Sequence, residues 1–141
     1  MSKIEELEKL RAERREAATK QRDEQHAKDL EALLELEDLH GFDALRRLNT
    51  THFVPGIPTF AVIKSPGGSA VYKRYTDKVR KAQKQAQLIG AAQEELGISC
   101  LVYPTGEAAK AMIEAFPGMP ISIAVAAINM VELQDDVEKK D

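Results

Sequence analysis

The side chains with reactive potential are few: His26, His40 and His52, the single Cys100, and six carboxylates spread over residues 42–131. A metal site needs His, Cys, Asp or Glu at ligand spacing, such as two ligands one helical turn apart. None of the three histidines pairs with a Cys or a carboxylate at a known metal-ligand spacing. His26 and His40 read as the solvated surface of a charged helix, and His52 lies in a linker. Nucleophilic work would need Cys100 beside a base. It stands instead within an apolar run, where a free cysteine behaves as a small hydrophobe. Asp43, Asp77, Glu94, Glu95, Glu107 and Glu114 offer no convergent pair for acid–base chemistry. Pro66-Gly67-Gly68 lacks the Gly-Lys-Ser/Thr element of a phosphate loop. The residues thus point to a chain that is not an enzyme, with no catalytic residues, cofactor or metal expected.

The strongest charged feature is a basic cluster, Lys73, Arg74, Lys78, Arg80, Lys81 and Lys84, close to Tyr72 and Tyr75. Basic groups interleaved with aromatics suit single-stranded nucleic acid. Against that, the chain carries a net charge of −3, with a pI near 5.7, unlike a dedicated nucleic-acid binder. The charge is segregated. Residues 1–41 hold eight basic and twelve acidic side chains, residues 42–131 ten and six, and residues 132–141 two and five. An acidic arm, a basic middle and an acidic tail follow one another.

These features need elements to carry them. Residues 2–40 contain no Gly or Pro and are rich in strong helix formers, with Ser2 and Glu5 at capping-box spacing. Glu5–Lys9 and Glu24–Lys28 stand at i,i+4, and Gly41 is a suitable stop. Such a helix would be roughly 58 Å long. Its apolar residues form two patches, Ile4, Leu7 and Leu10, then Leu30, Leu33, Leu34, Leu36 and Leu39, separated by a polar stretch with only alanines. A sustained heptad is absent, so a long coiled coil is not expected. The patches are candidate partner-binding residues: Ile4, Leu7, Leu10, Leu30, Leu33, Leu34 and Leu36.

After one or two helical turns at residues 42–48 and a Pro-Gly-rich break, residues 60–63 and 70–75 read as a hairpin around Ser65-Pro66-Gly67-Gly68-Ser69. A single helix follows over residues 76–97, ended by Gly97. A strand over residues 98–103 and a helix from Thr105 to about residue 116 come next. A last, nearly all-apolar helix runs from Pro120 to about Leu133. The expected fold is α+β: a long charged N-terminal helix followed by a small β-β-α-β-α-α domain. The division is a charged helical arm (1–41), a connecting segment (42–58), a compact α+β domain (59–133) and an acidic disordered tail (134–141). One cysteine excludes an internal disulfide and suits a reduced compartment. Residues 1–10 lack a secretory apolar core, and the longest apolar stretch, residues 121–131, is too short to span a bilayer. A cytoplasmic protein without a membrane partner is expected.

Three stretches resemble a known family. Val71-Tyr72-Lys73-Arg74-Tyr75 ends an expected strand and leads into a basic helix. Cys100-Leu101-Val102-Tyr103-Pro104-Thr105 leads into a helix, then Phe116-Pro117-Gly118-Met119 and a hydrophobic helix. Over about residues 58–131 this resembles the small tail assembly chaperones of tailed bacteriophages and related phage morphogenesis proteins. The long helix at residues 2–40 is not expected of every member. The resemblance implies a noncatalytic protein in the cytoplasm of an infected host cell, which binds the tape-measure protein and keeps its apolar helices soluble. The alternatives are a structural virion component of capsid or tail, located in the particle, and a nucleic-acid-binding accessory protein. Self-association is a further partner class. The charge balance predicts no binding of random DNA or RNA at ~0.15 M salt, where phosphate contacts are already weakened by counterions. A gel shift that disappears in the quadruple variant K78A/R80A/K81A/K84A would contradict this.

Overall fold

The computed structural model describes residues 2–67 and 70–131. Helix α1 spans Lys3–His40, 38 residues. Its ends are set locally. The Glu5 N–H donates to Ser2 Oγ at 3.1 Å, and Gly41, at φ +90°, donates its N–H to the Glu37 carbonyl at 2.8 Å. Neither Glu5–Lys9 nor Glu24–Lys28 closes as an ion pair; Arg22–Asp23, at 3.3 Å, is the arm's one pair among the described residues.

A 3-10 turn at Phe42–Ala44 leads into β1 (Leu45–Asn49), then β2 (Phe60–Lys64), α2 (Ala70–Lys81), α3 (Ala86–Cys100), β3 (Leu101–Tyr103), α4 (Gly106–Ala115) and α5 (Met119–Val131). The chain is a mixed helix-and-sheet, α+β protein. The sheet is antiparallel in the order β1-β2-β3, with Leu48 opposite Ala61, Arg47 opposite Val62, and Val62 opposite Tyr103. The expected ends of the last helix at Leu133 and of the acidic tail, residues 134–141, lie outside the described residues.

The element order after α1 is therefore β-β-α-α-β-α-α, which corrects the expected β-β-α-β-α-α in four places. The hairpin joins β1 to β2, not residues 60–63 to residues 70–75. Leu45-Arg46-Arg47-Leu48-Asn49 has little intrinsic strand preference. It becomes a strand because the apolar β2 requires a partner ladder, a case of context overriding propensity. Val71-Tyr72-Lys73-Arg74-Tyr75 is helical, and Val71 and Tyr75, one turn apart, pack on the core. The expected single helix of residues 76–97 is two, because Gln83 (φ +50°) and Lys84 (φ +68°) take the left-handed conformation and fold α3 back on α2. Helix α3 then runs through Cys100. That residue is buried at a helix end, not within a strand, and burial raises its thiol pKa.

Side chains alternate across a strand, so the register divides the sheet into two faces. Ala61 and Ile63 join Leu96, Met112, Ile123, Ala124 and Ala127 in the main core, with Leu48 and Leu101 packed against it. Phe60 and Val62, both fully buried, point to the opposite face with Arg47 and Tyr103. Helix α1 lies on that side: the His26 ring meets Phe60 edge-on at 5.7 Å. The protein is layered as α1, sheet, then α3 with α5. No single helix among the described residues is long and apolar enough to cross a membrane.

Gly97 is interior to α3 and is not its cap. A Cβ there would lie 2.0 Å from the carbonyl oxygen of Pro120 in α5, whereas one at Gly90 would meet nothing within 4 Å. The α3–α5 crossing thus rests on a bare glycine backbone. G97A should lower stability by about 2 kcal/mol or more, the range of overpacking in a close-packed core, while G90A should be neutral or stabilising by up to ~1 kcal/mol. Urea denaturation of both variants checks this.

Candidate functional site

The candidate partner residues fall into two groups. Residues 3–24 are exposed throughout, and Ile4, Leu7 and Leu10 keep 70%, 55% and 41% of their surface in solvent. This outer half of α1 stands clear of the body. From Gln25 onward one face turns inward: Gln25, His26, Leu33, Leu36 and His40 are half-buried and Asp29 is fully buried. The Leu-rich patch is thereby divided. Leu33 and Leu36 lie on the docked side, whereas Leu30 and Leu34 remain exposed. Leu39 and Phe42 extend the exposed apolar surface past the base of the helix.

The docking centre is a carboxylate. Asp29 Oδ2 accepts from the Thr59 backbone N–H at 2.7 Å and from the Thr59 hydroxyl at 2.8 Å. Asp29 Oδ1 accepts from Gln25 Nε2 at 3.0 Å and from the Tyr103 hydroxyl. Four donors meet two oxygens, which suits an ionised carboxyl, acceptor-only at both atoms. The Thr59 hydroxyl spends its one proton on Asp29, so His26 must donate from Nδ1 across their 2.7 Å contact. His26 is therefore a member of the anchor, not a solvated surface group. Burial, and then the Asp29 carboxylate, push the Tyr103 phenol above the usual tyrosine range. Among the described residues no buried side-chain nitrogen or oxygen lacks a partner.

The basic cluster lies on α2 and the turn after it. Lys78 donates to Glu95 on α3, Arg74 approaches the same carboxyl at 3.7 Å, and Arg80 pairs with Asp77 at 3.2 Å. The Lys78 hydrogen bond, opposed by desolvation and aided by the charges of Lys78 and Arg74, holds Glu95 below the usual carboxylate range. Arg74 and Lys78 thus fasten α2 to α3, while the Arg80–Asp77 pair lies within α2. Lys73, Lys81 and Lys84 have no carboxylate partner among the described residues.

No protein-family model, curated protein or solved structure matches this chain. Its chemistry must be read from its own geometry. Two clefts flank the end of β1. One, about 360 Å³, lies between β1 and the α4–α5 junction and is lined chiefly by apolar groups, including Leu48, Met112, Phe116 and Met119. The other, on the α1 side, is polar. No group of three or more potential metal ligands occurs among the described residues.

The Asp29–Thr59–Tyr103 set joins residues 30 and 74 positions apart, which no local pattern links. One signal was available in the sequence: Asp29 shares a helical stripe with Leu33 and Leu36, a carboxylate where an apolar residue is expected. D29A should cost about 2–4 kcal/mol, since it strands buried donors. Y103F should cost about 1 kcal/mol. Because folding raises the Tyr103 pKa, the associated stability is present below the ordinary tyrosine value of ~10 and is lost as pH rises through the folded value. Alkaline absorbance titration should show a late tyrosine phase that Y103F removes.

Proposed function

We propose that this chain is a noncatalytic binding protein that presents the outer half of α1 to a helical protein partner. The observation carrying this reading is the contrast along one helix. Its base is locked to the sheet through Asp29, while Ile4, Leu7 and Leu10 lie bare to solvent more than four turns away. An amphipathic contact of this spacing suits recognition of another helix. The surrounding charge keeps such an exposed apolar stripe soluble.

For the partner's identity, the resemblance to phage tail assembly chaperones supplies the candidate, a tape-measure protein with long apolar helices. One part of that resemblance has changed character, since the aromatic-basic-aromatic segment at residues 71–75 is helical and not a strand end. The remaining support lies in Tyr103-Pro104-Thr105 and the break at Phe116-Pro117-Gly118 before the apolar α5. A structural virion component is the second reading, favoured by a preformed arm held at its base by a buried network. Nucleic acid is disfavoured by the commitment of Arg74, Lys78 and Arg80 to carboxylates.

Coexpression with the tape-measure protein of the same phage should keep that client soluble. The triple variant I4S/L7S/L10S should weaken the complex by about tenfold or more, as expected when apolar anchors are removed. Its melting temperature should be unchanged, because these side chains touch nothing in the body. Failure of the wild-type chain to hold the client would overturn the chaperone reading. Recovery of the chain as an abundant constituent of purified particles would replace it with the structural one.

A further inference from the structure

The polar cleft on the α1 side has the composition of an anion site. It occupies about 420 Å³ between α1 and the loop that follows β1, within the roughly 300–1,000 Å³ of small-molecule sites. Arg22 and His26 enter from α1, Arg47 from β1, and Thr50, Thr51 and His52 from the loop. Its one carboxylate, Asp23, is already paired with Arg22 at 3.3 Å.

Two of these groups are positioned by the fold. The Arg47 guanidinium sits 5.0 Å from the centre of the fully buried Phe60 ring. It pairs with no carboxylate among the described residues. A stacked guanidinium keeps its in-plane N–H groups for a ligand. His26 is oriented by its Nδ1 contact with Thr59; with the proton on Nδ1, the neutral ring leaves Nε2 as an acceptor for a ligand hydroxyl. The two guanidinium forks match the several acceptor oxygens of a phosphate group. The Phe53 ring, which also lines the cleft beside a His52 that packs on Phe116 at 5.2 Å, suits a planar group attached to that phosphate.

We propose that this cleft binds a small phosphomonoester of mononucleotide size, its phosphate held between Arg22 and Arg47. Because the cleft joins α1 to the β1–β2 loop, an occupant ties the base of the arm to the body. Binding must then raise the melting temperature by mass action.

The test is calorimetric titration and thermal melting of the full chain with AMP, inorganic phosphate and adenosine, each at ionic strength matched with KCl. AMP should bind saturably with Kd below about 1 mM, phosphate more weakly, and adenosine not at all. R22Q and R47Q should each weaken AMP by about tenfold, one charge-assisted contact. D23N, which removes the only competing carboxylate, should tighten it. Arg22 is solvent-exposed, so R22Q reads the site even if R47Q loosens Phe60. The proposal is overturned if AMP shows no saturable binding, if phosphate binds and AMP does not, or if R22Q binds AMP as tightly as the wild type.

Discussion

A carboxylate taken out of water must find replacement hydrogen bonds or it destabilises the fold. Asp29 finds four, and they come from three parts of the chain: its own helix through Gln25, the start of β2 through Thr59, and the end of β3 through Tyr103. This requirement sets how α1 meets the sheet. A leucine stripe alone permits sliding by a turn with modest loss. A carboxylate aimed at one backbone N–H and two hydroxyls does not, because any other register leaves it unsatisfied. The anchor thereby fixes the register of α1, and with it the direction in which the outer half leaves the body.

The two faces of the sheet are held by different physics. Ala61 and Ile63 pack into an aliphatic core closed by α3 and α5, which approach closely at Gly97. Phe60 and Val62 are covered on the other side with few large apolar groups from α1, so specificity there comes from Asp29, His26 and the stacked Arg47. An outer half that buries nothing depends on its base for order. A short isolated helix is marginal in water because nucleation is costly. In α1 the docked turns supply the nucleus, and the Ala-, Glu- and Arg-rich sequence beyond them needs only to propagate. The same arrangement lets an exposed apolar stripe be displayed without weakening the core.

What was legible in the sequence is what local chemistry decides. Ser2 and Gly41 mark the ends of α1 through single hydrogen bonds of their own, and Phe60-Ala61-Val62-Ile63 announces a buried strand by composition. The exposed stripe of Ile4, Leu7 and Leu10 is equally a matter of type and spacing. Illegible were the elements that depend on distant partners. Leu45–Asn49 is a strand only because β2 lies beside it. Val71 and Tyr75 fit one face of a strand as well as one face of a helix, and packing against α3 chooses the helix. The turn at Gln83 and Lys84 contains neither Gly nor Pro, so nothing marks it until left-handed φ values are seen. Asp29 is marked only by its place in the stripe of Leu33 and Leu36, and Thr59 and Tyr103 read as ordinary strand-end residues until the fold brings them together.

Helix α1 is one helix with two states of attachment, locked from Gln25 onward and exposed before it. Amide hydrogen exchange followed residue by residue along α1 tests this most directly. Strong protection is expected for residues 29–40, weak protection for residues 5–22, and loss of the contrast in D29A. Equal protection along the whole helix, or a profile in D29A identical to that of the wild type, would contradict it.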